Sequence, residues 1–98
     1  MILEFSSEAE SDLEQIADYV AEHNPLRALS FIRELRSKCE GLIDRPNSFA
    51  LVPRYEHHHI RRRAHGNYLI FYRVETGKVI IIHILHRATD YGAAVFGE

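Results

Sequence analysis

Arginine and histidine are the chemically capable side chains of this sequence, and they crowd into its second half. His57-His58-His59, Arg61-Arg62-Arg63, His65, Arg73, His83 and the pair His86-Arg87 lie there, with Tyr91 shortly after. Metal-independent RNA cleavage asks for a base to take the 2′-hydroxyl proton, an acid for the leaving oxygen and cations for the phosphorane charge. Histidine and arginine suit those tasks. If 58–64 is a strand, alternation sets His59, Arg61 and Arg63 on one face and Ile60, Arg62 and Ala64 on the other. If Ile60 faces the helices, Arg61 and Arg63 line the open face. The same arginines equally suit a non-catalytic role, because guanidinium groups bind phosphates and acidic protein surfaces through charge-assisted hydrogen bonds. Arg61, Arg62, Arg63, Arg73 and Arg87 form that candidate binding set.

The histidine triplet suits zinc or nickel by ligand type. Neighbours on an extended segment point to alternate faces, however, so at most His57 and His59 share an ion, with no carboxylate assured beside them. No metal site and no cofactor is expected. His83, which alternation groups with Val79, Ile81 and Leu85, reads as a satisfied core or interface histidine. Cys39, the single cysteine, excludes an intrachain disulfide and fits a reducing compartment. It falls on an apolar helix stripe and reads as a small buried hydrophobe.

The elements that must position these groups are legible from periodicity and punctuation. Residues 1–5 make a short first strand. Ser7-Glu8-Ala9-Glu10 has the S-x-x-E form of a capping box and predicts a helix start. Ala9, Leu13, Ile16, Ala17, Val20 and Ala21 recur at steps of three and four through about residue 22, while Asp12, Glu14, Asp18 and Glu22 belong to a solvated face. Asn24-Pro25 ends this helix and starts another, since asparagine caps and proline is tolerated at the first helical position. Ala28, Leu29, Phe31, Ile32, Leu35, Cys39, Leu42 and Ile43 then give a wide apolar stripe. Residues 44–56 read as a loop. Three antiparallel strands follow at 58–64, 68–74 and 78–86, separated by His65-Gly66-Asn67 and Glu75-Thr76-Gly77. The last is apolar on both faces and should sit centrally. In the tail, residues 91–98, Ala93, Ala94, Val95 and Phe96 could pack on the sheet.

Ninety-eight residues make one small domain, 1–98. With 46% hydrophobic and 27% charged residues and no apolar run of membrane-spanning length, a soluble, cytoplasmic, globular protein is expected. Residues 1–48 carry ten acidic and five basic side chains, and residues 49–98 carry four and seven. A basic, histidine-rich half can meet an anionic partner, yet the slightly acidic isoelectric point is far from that of a dedicated nucleic-acid binder.

Two stretches, Gly66-Asn67-Tyr68-Leu69-Ile70-Phe71-Tyr72-Arg73-Val74 and Ile82-His83-Ile84-Leu85-His86-Arg87-Ala88-Thr89-Asp90, resemble the ParE/RelE toxin superfamily, with the ParE branch closer. Ala9-x-x-Asp12-Leu13-x-x-Ile16-x-x-Tyr19, the Asn24-Pro25 break, Ala28-x-x-Phe31 and Leu42-x-x-x-Pro46 agree with it in the first half. The resemblance implies an α+β fold of order β-α-α-β-β-β, a helical hairpin packed on an antiparallel sheet, in which Tyr19 is a packing residue. It further implies a small bacterial toxin of a type II toxin–antitoxin module, of the plasmid-stabilising kind, blocked by a cognate antitoxin in a hetero-oligomer. Members resembling ParE inhibit DNA gyrase, whereas those resembling RelE cut messenger RNA in the ribosomal A site.

On the RelE reading the catalytic set is Arg61, Arg63, His86, Arg87 and Tyr91. The nucleases, however, place an arginine near the start of the strand that here begins with Tyr68, and their basic cluster is richer in lysine; this chain has Lys38 and Lys78 only. Leu85-His86 is similar to the Leu-His that ends this strand in ParE-like chains, so His86 reads as a fold-organising, hydrogen-bonding residue. The expected function is therefore gyrase inhibition without catalysis, with an acidic antitoxin meeting the arginines. A ribosome-dependent endonuclease is the alternative, and a decayed toxin that leaves growth unaffected is a third reading.

Overall fold

In the computed structural model, which describes residues 1–97, two helices pack on one face of a four-stranded sheet and a short third helix covers part of the other. The order is β1 (Ile2–Phe5), α1 (Ser7–Ala21), α2 (Pro25–Glu40), β2 (Ile60–His65), β3 (Tyr68–Glu75), β4 (Lys78–His86) and α3 (Tyr91–Phe96). The strands lie in the order β1-β4-β3-β2, so β4 is central as expected. β2, β3 and β4 are antiparallel to their neighbours, whereas β1 joins β4 in parallel, making the sheet mixed. No helix among the described residues is long and apolar enough to cross a membrane.

The helix starts follow from side-chain capping. Ser6, one residue earlier than the capping-box reading placed it, caps α1: its Oγ accepts from Ala9 N at 3.0 Å. That leaves Glu10 outside the cap, facing Arg36 of α2 at 3.3 Å. Asn24 caps α2 by accepting from Arg27 N at 3.0 Å, and Pro25 occupies the first turn, where its missing donor costs nothing.

Between Tyr72 and Phe71 the partners on β4 jump from Ile81 to His83, so Ile82 is an extra residue. This bulge reverses the alternation of everything after it. Val79 and Ile81 face the helical hairpin with Ile70 and Tyr72, but so does Ile84, while Ile82 and Leu85 join Leu69, Phe71, Val52 and Ile60 on the other face. Leu85 thus does not share a face with Val79 and Ile81, contrary to strict alternation.

Helix α1 secures the bulge through two side chains. Ser6 Oγ donates to the carbonyl of Ile82 at 2.7 Å. One oxygen of Asp12, Oδ2, meets His83 Nδ1 at 2.7 Å and accepts from Ile84 N at 2.9 Å. Asp12 is not on a solvated face: its side chain is 12% exposed and that of His83 is 16%. A carboxylate so enclosed persists only because both contacts are made.

The main core joins Ala9, Leu13 and Ile16 of α1, Leu35 and Cys39 of α2, and Leu42 to the hairpin-facing strand residues. Burial pushes the Cys39 thiol up to about 12, which makes it inert as a nucleophile near neutral pH. Tyr72 is fully buried yet donates its hydroxyl to Pro46 O at 2.8 Å. Leu29, expected in the apolar stripe, is 55% exposed, and Tyr19, expected to pack, is 59% exposed. Leu29 lies on the outer side of the hairpin and Tyr19 at its margin beside Tyr68 and His86, because two helices on one small sheet bury only their inward faces. In the tail, Val95 and Phe96 pack on the second cluster, Ala93 and Ala94 are exposed, and Glu98 lies outside the described residues.

Asp12→Ala should lower the unfolding free energy by about 2–3 kcal/mol, because it strands a buried backbone donor and an imidazole. Urea denaturation measures this, and Glu14→Ala on the exposed face should change it by less than about 0.5 kcal/mol.

Candidate functional site

β2 opens with Ile60 in the second cluster, on the face away from the helical hairpin. The condition under which Arg61 and Arg63 would line the open face, Ile60 facing the helices, is therefore not met, and the arginine triplet is distributed the opposite way. Arg61 and Arg63 turn toward the hairpin side, where backbone carbonyls engage them. Arg61 Nη1 donates to Phe49 O at 2.7 Å, and Arg63 Nη1 donates to Lys38 O at 3.1 Å in the last turn of α2, its guanidinium 4.8 Å from the Phe49 ring centroid. A cation at a helix C-terminus is favourably placed against the helix dipole. These two arginines tie the 44–56 loop and the end of α2 to the sheet edge, and neither lines an open face.

Arg62 points to the second face. Its Nη1 donates to Tyr91 Oη at 3.2 Å, and its guanidinium lies 5.7 Å from the Tyr91 ring centroid. Because the bulge has reversed the alternation, Arg87 joins Arg62 there. With Ala64, Leu69 and Tyr91 they line an open recess of about 400 Å³. Arg73 is engaged by Glu75 through two contacts, at 2.7 and 2.8 Å.

His86 goes to the hairpin side. Its Nδ1 accepts from Ala88 N at 3.0 Å, and its ring meets Tyr68 edge-on at 5.3 Å. It borders two connected depressions of about 200 and 260 Å³, one reaching Asp12, Gln15 and Tyr19 on α1, the other reaching Arg27 and Phe31 on α2; Tyr19, Tyr68 and His86 belong to both. Desolvation raises the Tyr68 hydroxyl above its usual range, so it stays a neutral donor. At the rim, His65 stacks on Phe31 at 5.7 Å and meets Glu34 Oε1 at 3.0 Å. The hydrogen bond from Arg27, and then that from His65, hold the Glu34 carboxyl below the ordinary glutamate range.

The candidate cleavage groups are thus not brought together. Arg61, Arg63 and His86 lie on the hairpin side, and Arg87 and Tyr91 lie on the other. The histidine triplet is not a strand either: residues 56–58 form a single 3-10 turn and His59 is left-handed, with φ 60°. The His57 and His58 rings sit 4.3 Å apart, and among the described residues no group of three or more metal-ligating side chains is assembled.

The family model described as the ParE toxin of the type II toxin–antitoxin system, parDE, matches residues 3–91. The chain belongs to the ParE toxin family. The match takes in both hairpin helices, the sheet except Ile2 and the start of α3, so this is a ParE-type toxin of a type II toxin–antitoxin system. A solved structure described as the chromosomal ParDE system from P. aeruginosa is similar in fold. Its TM-score is 0.73 at 20% identity, over 88% of this chain and 95% of that one. Among curated proteins none matches this chain.

Two residues of the site were hidden from periodicity. Asp12 sits among exposed acids on α1, and only the bulge shows what it holds. Tyr19 takes a packing role from its family-like place, but the groove it borders exists only once β4 and α1 are packed. Arg63→Ala should cost about 1–2 kcal/mol of stability by freeing the end of α2. Arg87→Ala should stay within about 0.5 kcal/mol, and chemical denaturation of the pair separates the two roles.

Proposed function

We propose that this ParE-type toxin arrests growth by binding DNA gyrase without catalysis, and that a cognate antitoxin neutralises it by covering the groove between the hairpin and the end of β4. The observation that carries the reading is the division of the cleavage candidates between opposite faces of the sheet. A 2′-hydroxyl base, a leaving-group acid and the cations for the phosphorane must converge on one phosphate. Here Arg61 and Arg63 hold backbone carbonyls, His86 is engaged by the Ala88 amide, and Arg87 and Tyr91 lie beyond the sheet. Family membership supplies the expected target and the expected partner.

The groove supports the antitoxin assignment. Tyr19, Phe31, Tyr68 and His86 present aromatic surface beside the polar Asp12, Gln15 and Arg27. An amphipathic segment can bury apolar side chains there while its polar ones meet the rim. The whole chain then acts as one toxin domain, in the cytoplasm where gyrase works.

Purified chain freed of antitoxin should abolish supercoiling of relaxed plasmid by gyrase and leave linear DNA when the reaction is stopped with denaturant. Added antitoxin should restore supercoiling, and Tyr19→Ala should weaken that rescue by about tenfold without lowering stability. Folded chain with no effect on gyrase at excess would overturn the gyrase assignment. Unaltered rescue with Tyr19→Ala would instead move the antitoxin away from the groove.

A further inference from the structure

The recess on the second face has a composition that neither gyrase binding nor the hairpin groove uses. Arg62 comes from β2, Arg87 follows directly on β4, and Tyr91 opens α3, so three separate parts of the chain meet there. Arg27, Arg36 and Arg73 each face a glutamate. Arg62 and Arg87, by contrast, have no acidic partner among the described residues, and no acidic side chain lines the recess. Two guanidinium groups lining one recess with no acidic neighbour make its potential positive, which an anion placed between them would offset.

Tyr91 and the main chain of Arg87 are fixed in advance. Tyr91 rests 5.4 Å from Phe71 and 6.4 Å from Tyr55, ring centre to ring centre. Its oxygen accepts from Arg62, so its own O–H is free to donate to another acceptor. Arg87 is anchored by its main-chain N, which donates to Asn67 O at 2.7 Å, and its side chain is left exposed. Gly92 allows the close approach: a Cβ there would lie 2.6 Å from Tyr55 Oη, on a ring stacked against Phe96 at 4.0 Å.

We propose that this recess binds a small phosphomonoester. Two cations and a phenol donor match the charge and the acceptor count of a phosphoryl dianion better than those of a carboxylate, which carries one charge and two oxygens. A phosphate group fills only part of about 400 Å³. The remaining wall is Ala64, Leu69 and the Tyr91 ring, an apolar surface suited to a flat or aliphatic ester group. The site is independent of whether gyrase is the target.

The test is a titration of the full chain, followed by amide and arginine Nε chemical shifts, with phenyl phosphate, adenosine monophosphate, inorganic phosphate, phenyl sulfate and benzoate. Saturable binding of the two esters is expected, with shifts centred on Arg62, Arg87 and Gly92. Both esters should bind more tightly than inorganic phosphate, and phenyl phosphate more tightly than phenyl sulfate or benzoate. Arg87→Gln should weaken ester binding by about tenfold, while Arg33→Gln on exposed α2 leaves it unchanged. Equal response to all five anions, shifts spread over other arginines, or ester binding indifferent to Arg87→Gln would each overturn the proposal. Tight binding of inorganic phosphate with no gain from the ester group would overturn the assignment to an ester.

Discussion

The bulge at Ile82 is the constraint on which the rest of the molecule depends. Beyond Ile81 the edge of β4 is no longer covered by β1, and the start of the hairpin supplies groups that meet the open carbonyl and amide at the bulge: the N-cap Ser6 Oγ for the carbonyl of Ile82, Asp12 for the amide of Ile84. The same Asp12 oxygen holds the His83 ring. Buried polar backbone must be paired, so the bulge and the start of the helical hairpin fix each other. Helix entry, strand register and the docking of α1 are one interlocked arrangement, reinforced by the Leu13, Ile16 and Ile84 packing around it.

Everything past the bulge inherits its parity. His86 turns to the hairpin and borders the aromatic groove, while Arg87 turns away and meets Arg62 and Tyr91. Adjacent in sequence, the two residues serve different surfaces. β2 undergoes a similar separation without a bulge, by plain alternation: Arg61 and Arg63 pin the loop and the end of α2, and Arg62 faces the recess. A chain whose basic residues look like one cluster thus divides them between two surfaces, an aromatic groove of mixed charge and a recess in which two arginines meet Tyr91, Ala64 and Leu69.

Much of this was legible before any coordinates. The strand-helix-helix-strand-strand-strand order follows from the Asn24-Pro25 break, the stripe through Leu13 and Ile16, and the two turn tripeptides in the second half. The central place of β4 follows from its apolar character on both faces, and the buried state of Cys39 from its stripe. What could not be read was parity. Alternation assigned Leu85 to the face of Val79 and Ile81, which failed because facing depends on where the ladder slips, and it left open which face of β2 the helices cover. Nothing in Ile80-Ile81-Ile82 distinguishes the bulged residue from its neighbours. Asp12 was equally opaque, since an acid on α1 has the same pattern whether it faces water or a strand amide. Leu29 and Tyr19 show the reverse error: one expected inside from helical spacing, the other from its family-like place, both are more than half exposed.

The central claim is that this ParE-type toxin acts by binding, because its cleavage candidates are held on opposite faces of the sheet. The most direct test is to add antitoxin-free chain to ribosomes translating a defined message and to map the 3′ ends of the RNA. The account predicts intact message at toxin concentrations that stop growth, unchanged by His86→Ala or Arg87→Ala. Cleavage in the A site that either substitution abolishes, in protein that remains folded, would contradict it.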